Sequence, residues 1–181
     1  MIRTQPLPDI LAKDLQVVFC GINPGMTAAI AGHHFSSRSN RFWRVIHLAG
    51  FTPIQIDPEN DRSILEFGCG LTAAVARATR RADELTVDEL VSAGATLSRK
   101  IRRFAPRAVA FLGKAAYSAI TRQPEVQWGA QALPFGGAMA WVVPNPSGLN
   151  RSFRTTQLVA AYRELRQECF RGLDAMPAAR K

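Results

Sequence analysis

Residues 15–26, "LQVVFCGINPGM", decide how this chain is read. Five apolar or β-branched residues in the run "LQVVFC" suit a strand buried on both faces, and the Gly-Ile-Asn-Pro-Gly that follows must leave the sheet at its carboxyl end. The pattern recurs at residues 138–150, "AMAWVVPNPSGLN", where a second apolar run ends in Asn145-Pro146 beside Gly148. Between them, "RAVAFLG" (107–113) reads as a third buried strand opening into the helix "KAAYSAIT" (114–121). Strands of this kind alternating with amphipathic helices predict an α/β fold, a parallel sheet covered by helices on both faces. Ligands of such sheets sit beyond the carboxyl ends of the strands, so the two Asn-Pro loops are expected to share one cleft.

The helices are announced by their own spacing. Ser39 offers an N-cap for "NRFWRVIHLAG" (40–50), with Phe42, Trp43, Ile46 and Ala49 on one side and Gly50 as C-cap. Thr86 followed by Glu89 is a capping box, and Leu90, Leu97, Ile101 and Phe104 give the next helix its apolar face, with Pro106 as a stop. A closing helix around 155–170 carries Leu158, Tyr162 and Leu165. Residues 26–39 read as loop, and 51–83 as loops and short pieces broken by Pro53, Pro58, Gly68 and Gly70, with one short helix at "DRSILEF". The tail "AMPAARK" is expected to fray.

With 181 residues, 47% hydrophobic and 20% charged, the chain predicts one globular domain over 1–181, its core at about 12–168. No apolar run is long enough for a membrane helix, and the N-terminus lacks a secretory h-region, so a cytoplasmic protein is expected. Cys20, Cys69 and Cys169 have neither C-x-x-C spacing nor a histidine pair, which predicts reduced thiols and no metal or other cofactor. A formal charge of +9 favours a polyanionic partner such as nucleic acid through counterion release. Arginine greatly outnumbers lysine, however, which also fits genomic base composition.

The loops themselves admit two readings each. Gly21 to Gly25 form either a simple turn or a site where backbone amides approach a ligand and Asn23 holds a water without titrating. Leu149, at the tip of a polar loop with Arg151 two residues on, either packs inward or serves as an apolar wedge between bases. His33 and His34 are solvated, structural, or proton donors. Asp83 and Glu84 read as capping or surface charges, and Arg38 and Arg41 either meet phosphates or lie on a solvated face.

"GINPG", "AGHHF", "NRFW", "GLT" and "NPSGL", in that order, resemble the mismatch-specific uracil/thymine DNA glycosylases over residues 12–168. The resemblance implies a three-layer α/β/α sandwich of the uracil-DNA-glycosylase kind, acting without a cofactor as a monomer near the nucleoid. Its implied activity is monofunctional: release of uracil, and of thymine or ethenocytosine, mispaired with guanine in double-stranded DNA. Residue by residue it implies that Asn23 holds the attacking water, with Thr72 near the water or the pocket; His34 is a further catalytic candidate by its own chemistry, as a proton donor to the leaving base. Ile22, Ala28, Phe35 and Asn145 are implied to bind the extruded base, and Gly148, Leu149, Asn150 and Arg151 to fill the vacated stack and touch the orphaned guanine. Ala28, where some relatives have serine, leaves room for a 5-methyl group. The alternatives are a uracil glycosylase acting mainly on single strands, and a non-catalytic mismatch-binding module.

Overall fold

The computed structural model describes residues 6–173; the "AMPAARK" tail lies outside them. Four strands are parallel: β1 (Val17–Gly21), β2 (Cys69–Ala73), β3 (Ala108–Leu112) and β5 (Met139–Val143). Short β4 (Gly129–Ala130) pairs antiparallel with β5, giving the order β2-β1-β3-β5-β4. Every residue of β1 and β3 is buried, which the unbroken apolar runs required.

Because side chains alternate across a strand, the sheet divides the interior in two. Val17, Phe19, Ala108 and Ala110 face α2 (Phe42–Leu48) and α5 (Thr155–Cys169), where Phe42, Ile46, Leu158, Tyr162 and Leu165 fill the layer. Val18, Cys20, Val109 and Phe111 face α3 (Val87–Phe104) and α4 (Lys114–Thr121), packing on Leu97, Ile101 and Tyr117. The three cysteines are free and buried, and burial raises their thiols, Cys20 to about 12.

Four local expectations change. Residues 26–39 are not all loop: Met26–Ala31 form a short helix, α1, ended by Gly32 in the left-handed conformation (φ 77°). Helix α2 starts at Phe42, its N–H capped by Asn40 Oδ1 (2.9 Å) and not by Ser39. Strand β2 was hidden in "CGLTA", which has no β-branched run. It forms because Gly70 admits Ile10 and Leu15, where a Cβ would come within 2.8 Å of the Ile10 carbonyl and 2.6 Å of Leu15. The "DRSILEF" helix is tighter than expected, 3₁₀ in type, and a kink at Asn60 separates it from a short turn of the same type that begins at Pro58. The Thr86–Glu89 box closes as read, with Glu89 N–H on Thr86 Oγ1 (3.2 Å) and Thr86 N–H on Glu89 Oε2 (2.8 Å). The Arg77 guanidinium on that same carboxylate, at 2.7 and 2.9 Å, holds Glu89 down to about 2.

Candidate active site

The carboxyl ends of β1, β2, β3 and β5 open into one cleft of about 640 Å³. Gly21, Ile22 and Asn23 line it from β1, Thr72 and Ala73 from β2, Leu112 from β3, and Asn145 with Ser147–Asn150 from the loop after β5. Both Asn-Pro loops therefore meet, as the topology demanded. Ala28, His34 and Phe35 complete the wall, so every candidate except Arg151 lines this space.

Asn23 is held from behind. Its Nδ2 donates to the Arg77 carbonyl (2.8 Å) and to Thr79 Oγ1 (2.7 Å). Thr79 Oγ1 spends its own hydrogen on the Arg81 carbonyl (2.7 Å), so toward Asn23 it must accept, and the amide cannot be flipped. Both amide hydrogens are thereby used and Oδ1 is the atom left to accept from the cleft. The Pro24–Thr79 and Met26–Thr79 backbone bonds (3.1 and 3.0 Å) tie the two segments together. Thr79 carries no local sequence signal, being 56 residues from Asn23.

The aromatic wall is built by a strained turn. Phe35 has φ 54°, a left-handed backbone that costs a bulky residue energy and persists only where its surroundings impose it. Those surroundings converge on His34. Its N–H donates to Asp61 Oδ2 (2.9 Å), its carbonyl accepts from Trp43 Nε1 (3.0 Å), and its Nε2 meets the Pro8 carbonyl at 2.9 Å. A carbonyl only accepts, so Nε2 carries the proton. Burial lowers the His34 pKa from its ordinary value, overcoming the Pro8 hydrogen bond and the nearby Asp61 charge, and the ring is neutral at pH 7. Phe35 stacks on Phe42 with centroids 4.0 Å apart, and its ring lies beside Gly21 in the cleft wall.

Thr72 reaches the cleft as part of β2, yet its hydroxyl is engaged elsewhere. It donates to Asp9 Oδ1 (2.6 Å) and accepts from Lys100 Nζ (3.1 Å), which is paired with Asp9 Oδ2 at 2.7 Å. Ile22 gives its carbonyl to Val75 N–H (3.0 Å), which anchors the loop beside β2. Ala28 is buried on α1 with its methyl on the cleft wall.

The second loop is made differently. Asn145 Oδ1 accepts Ser147 N–H (2.9 Å), and Asn150 Nδ2 donates back to the Asn145 carbonyl (2.8 Å), folding the loop on itself. Gly148 lies so close to Ser39 that a Cβ there would sit 2.4 Å from Ser39 Cβ. Arg41, open between phosphate contact and solvation in the sequence, turns out to be the clamp. Its guanidinium donates to the carbonyls of Phe153 (2.7 Å), Asn150 (2.9 Å), Ser147 (3.3 Å) and Pro146 (3.4 Å). What this leaves in solvent is Leu149, 70% exposed, with Arg151 exposed beside it. Arg80 and Arg81 stand at the opposite lip, where Arg81 is paired with Asp83 and its N–H is capped by Glu84 Oε1 (2.7 Å).

A cleft of this shape, walled by a stacking ring and floored by an immobilised amide, suits a planar polar ring inserted edge-on. Comparison with known proteins agrees. A solution structure from Methanosarcina acetivorans, described as a "putative Uracil DNA glycosylase", superposes with a TM-score of 0.59 at 19% identity, covering 90% of this chain and 98% of that one. At that identity the likeness speaks for the fold. The family model of the Uracil DNA glycosylase superfamily matches residues 8–166, which hold both Asn-Pro loops, all five strands and every cleft residue named above. The chain belongs to the uracil DNA glycosylase superfamily, whose members are DNA-binding hydrolases of the N-glycosidic bond.

Proposed function

We propose that this protein is a monofunctional glycosylase that extrudes uracil, and also thymine or ethenocytosine, from pairs with guanine in duplex DNA. The observation that carries the reading is Asn23: two donated hydrogens fix the amide and leave Oδ1 as an acceptor on a residue that lines the cleft. An acceptor there holds a water for C1′ of the sugar. The C1′–N1 bond breaks with its electron pair on the base, the water oxygen bonds to C1′, and the water's proton passes to the departed base or to solvent. Backbone amides near Ile22 stabilise the charge growing on the base, and Phe35 stacks on its face. No lysine lines the cleft among the described residues, which supports hydrolysis over a covalent amine intermediate.

His34 and Thr72 act in this scheme by holding parts in place. The neutral His34 ring spends its proton on Pro8 and fixes Phe35, while Thr72 joins β2 to Asp9 and Lys100. Asn145 and Asn150 shape the second loop, whose exposed Leu149 fills the gap left by the base, with Gly148 and Arg151 toward the orphaned guanine. Extrusion costs a few kcal/mol and least at a mispair, which is the source of the guanine-mismatch preference.

The test is release of free base from G·U, G·T and 3,N4-ethenocytosine duplexes, and from single-stranded uracil DNA, under single turnover. Asn23→Ala should slow release by about 10²-fold, as expected when the hydrogen-bond acceptor that positions the attacking water is lost, while still binding the duplex. Wild-type protein that binds G·U DNA and frees no base would leave a mismatch-binding module instead. Faster release from single strands than from G·U duplex would overturn the mismatch reading.

A further inference from the structure

The carboxyl rim of the sheet carries a second feature, beyond the cleft. Gly129 of β4 pairs with Val142 of β5, so Trp128 stands level with the end of β5, where the second loop begins. Lys114 opens α4 immediately after Gly113, whose N–H donates to the Val143 carbonyl at 2.8 Å. These residues meet: Lys114 Nζ lies 4.6 Å from the Trp128 ring centroid, and Phe153 touches the indole edge-on at 5.3 Å and 84°. The Phe153 carbonyl is the one Arg41 grips most closely, so the cluster and the Leu149 loop share a support. Trp128 remains 42% exposed, and none of the three residues lines the cleft.

A single exposed tryptophan is unremarkable on a protein surface. Here, however, a cation is fixed on the indole, the neighbouring segment 144–155 carries Arg151 and Arg154 with no acidic residue, and strand order puts the cluster in line with the cleft and the wedge loop. We propose that Lys114, Trp128 and Phe153 form a second contact with DNA. It takes the sugar-phosphate backbone of the duplex on one flank of the extruded nucleotide. Lys114 meets a phosphate, and Trp128 with Phe153 supplies an amphipathic wall for the sugars. Holding the ammonium on the ring removes rotamer freedom before DNA arrives, so less ordering remains to be done at binding. The contact rests on the reading of the protein as a glycosylase of duplex DNA.

The experiment is binding of a G·U duplex bearing a non-hydrolysable 2′-fluorouridine, followed by anisotropy between 50 and 200 mM salt. Lys114→Gln should lower the slope of log K against log salt by about 0.9, the value for one phosphate contact, and Lys114→Glu should weaken binding further. Emission of the wild-type protein should change on binding, and Trp128→Phe should lose that change. Truncating the duplex on one side of the uridine should erase the difference between wild type and Lys114→Gln, and truncating the other side should not. Tight wild-type binding with an unchanged slope in Lys114→Gln overturns the contact and leaves the glycosylase reading intact. A difference that survives both truncations overturns its placement on a flank. Wild-type protein that neither binds the duplex nor releases base overturns the glycosylase reading and the contact together.

Discussion

The same dipeptide ends β1 and β5, and the two asparagines face opposite demands. Asn23 spends both amide hydrogens on the Arg77 carbonyl and on Thr79 Oγ1, which leaves its oxygen as the free acceptor in the cleft that it lines. Asn145 turns its oxygen onto Ser147 N–H of its own loop and so shapes a platform. Behind the first loop stands a buried hydroxyl; behind the second stands a guanidinium on four carbonyls. An Asn-Pro turn is thus a neutral scaffold, and the partner outside the turn decides whether it works as a site or as a support.

That contrast can be broken at its most exposed point. Leu149→Ala should reduce excision from G·U duplex by about 10- to 100-fold, since unstacking costs a few kcal/mol that the wedge offsets. It should leave single-stranded release nearly unchanged, and stability within about 0.5 kcal/mol, because Leu149 is largely in solvent. Arg41→Lys should fall in the same direction, with its loss in duplex excision and thermal stability together. One ammonium cannot satisfy the fork of carbonyls, and each one left unpaired costs about 1–3 kcal/mol. Equal duplex rates in wild type and Leu149→Ala would make the second loop a mere support.

The first loop is sharpened by Thr79→Val, which keeps the shape and removes the oxygen that orients Asn23. Single-turnover release should drop by about tenfold, the effect of roughly 1.4 kcal/mol in the barrier, and Thr79→Ser should restore it. Failure of serine to rescue would show that packing, not the hydroxyl, is what Thr79 contributes.

A smaller effect concerns the wall between the loops. Ala28→Ser should lower the ratio of G·T to G·U excision by about 5- to 10-fold, within the 1–3 kcal/mol that one methyl-sized group is worth in a pocket. The readout is the ratio of single-turnover rates, and an unchanged ratio would remove Ala28 from specificity.

The smallest effect is a pH dependence. His34 is harder to protonate folded than unfolded, so its contribution to stability is present above about pH 6.5. It is lost as pH falls, because the unfolded chain then gains a proton that the folded site resists. The thermal midpoint of wild type should therefore drop more between pH 7.5 and 5.5 than that of His34→Gln, which has no ring to titrate. Parallel curves would assign the pH response to other groups.

Much of the fold was legible because its signals are local. Buried parallel strands need unbroken apolar runs, and β1, β3 and β5 supply them; Thr86 and Glu89 are three residues apart and close their box whatever surrounds them. That the two Asn-Pro loops share a cleft was legible for the same reason, since topology puts loop ends of parallel strands together; whether Leu149 packs inward or stands in solvent was open in the sequence and is decided by the fold, which leaves it exposed. Strand β2 was not, because "CGLTA" becomes a strand only when Ile10 and Leu15 pack over Gly70.

Tertiary structure alone decided what each side chain does. That Asn23 points an oxygen outward depends on Thr79, that His34 is a neutral anchor depends on Pro8 and Asp61, and that Arg41 is a clamp depends on carbonyls 105 to 112 residues away. Hydrogen-bond direction and protonation are set by whichever donor or acceptor arrives at about 3 Å, and a sequence records the groups without recording who arrives. The chain by itself determined strands β1, β3 and β5 and where their loops gather; only the packed fold determined that β2 forms and which atoms those loops leave free.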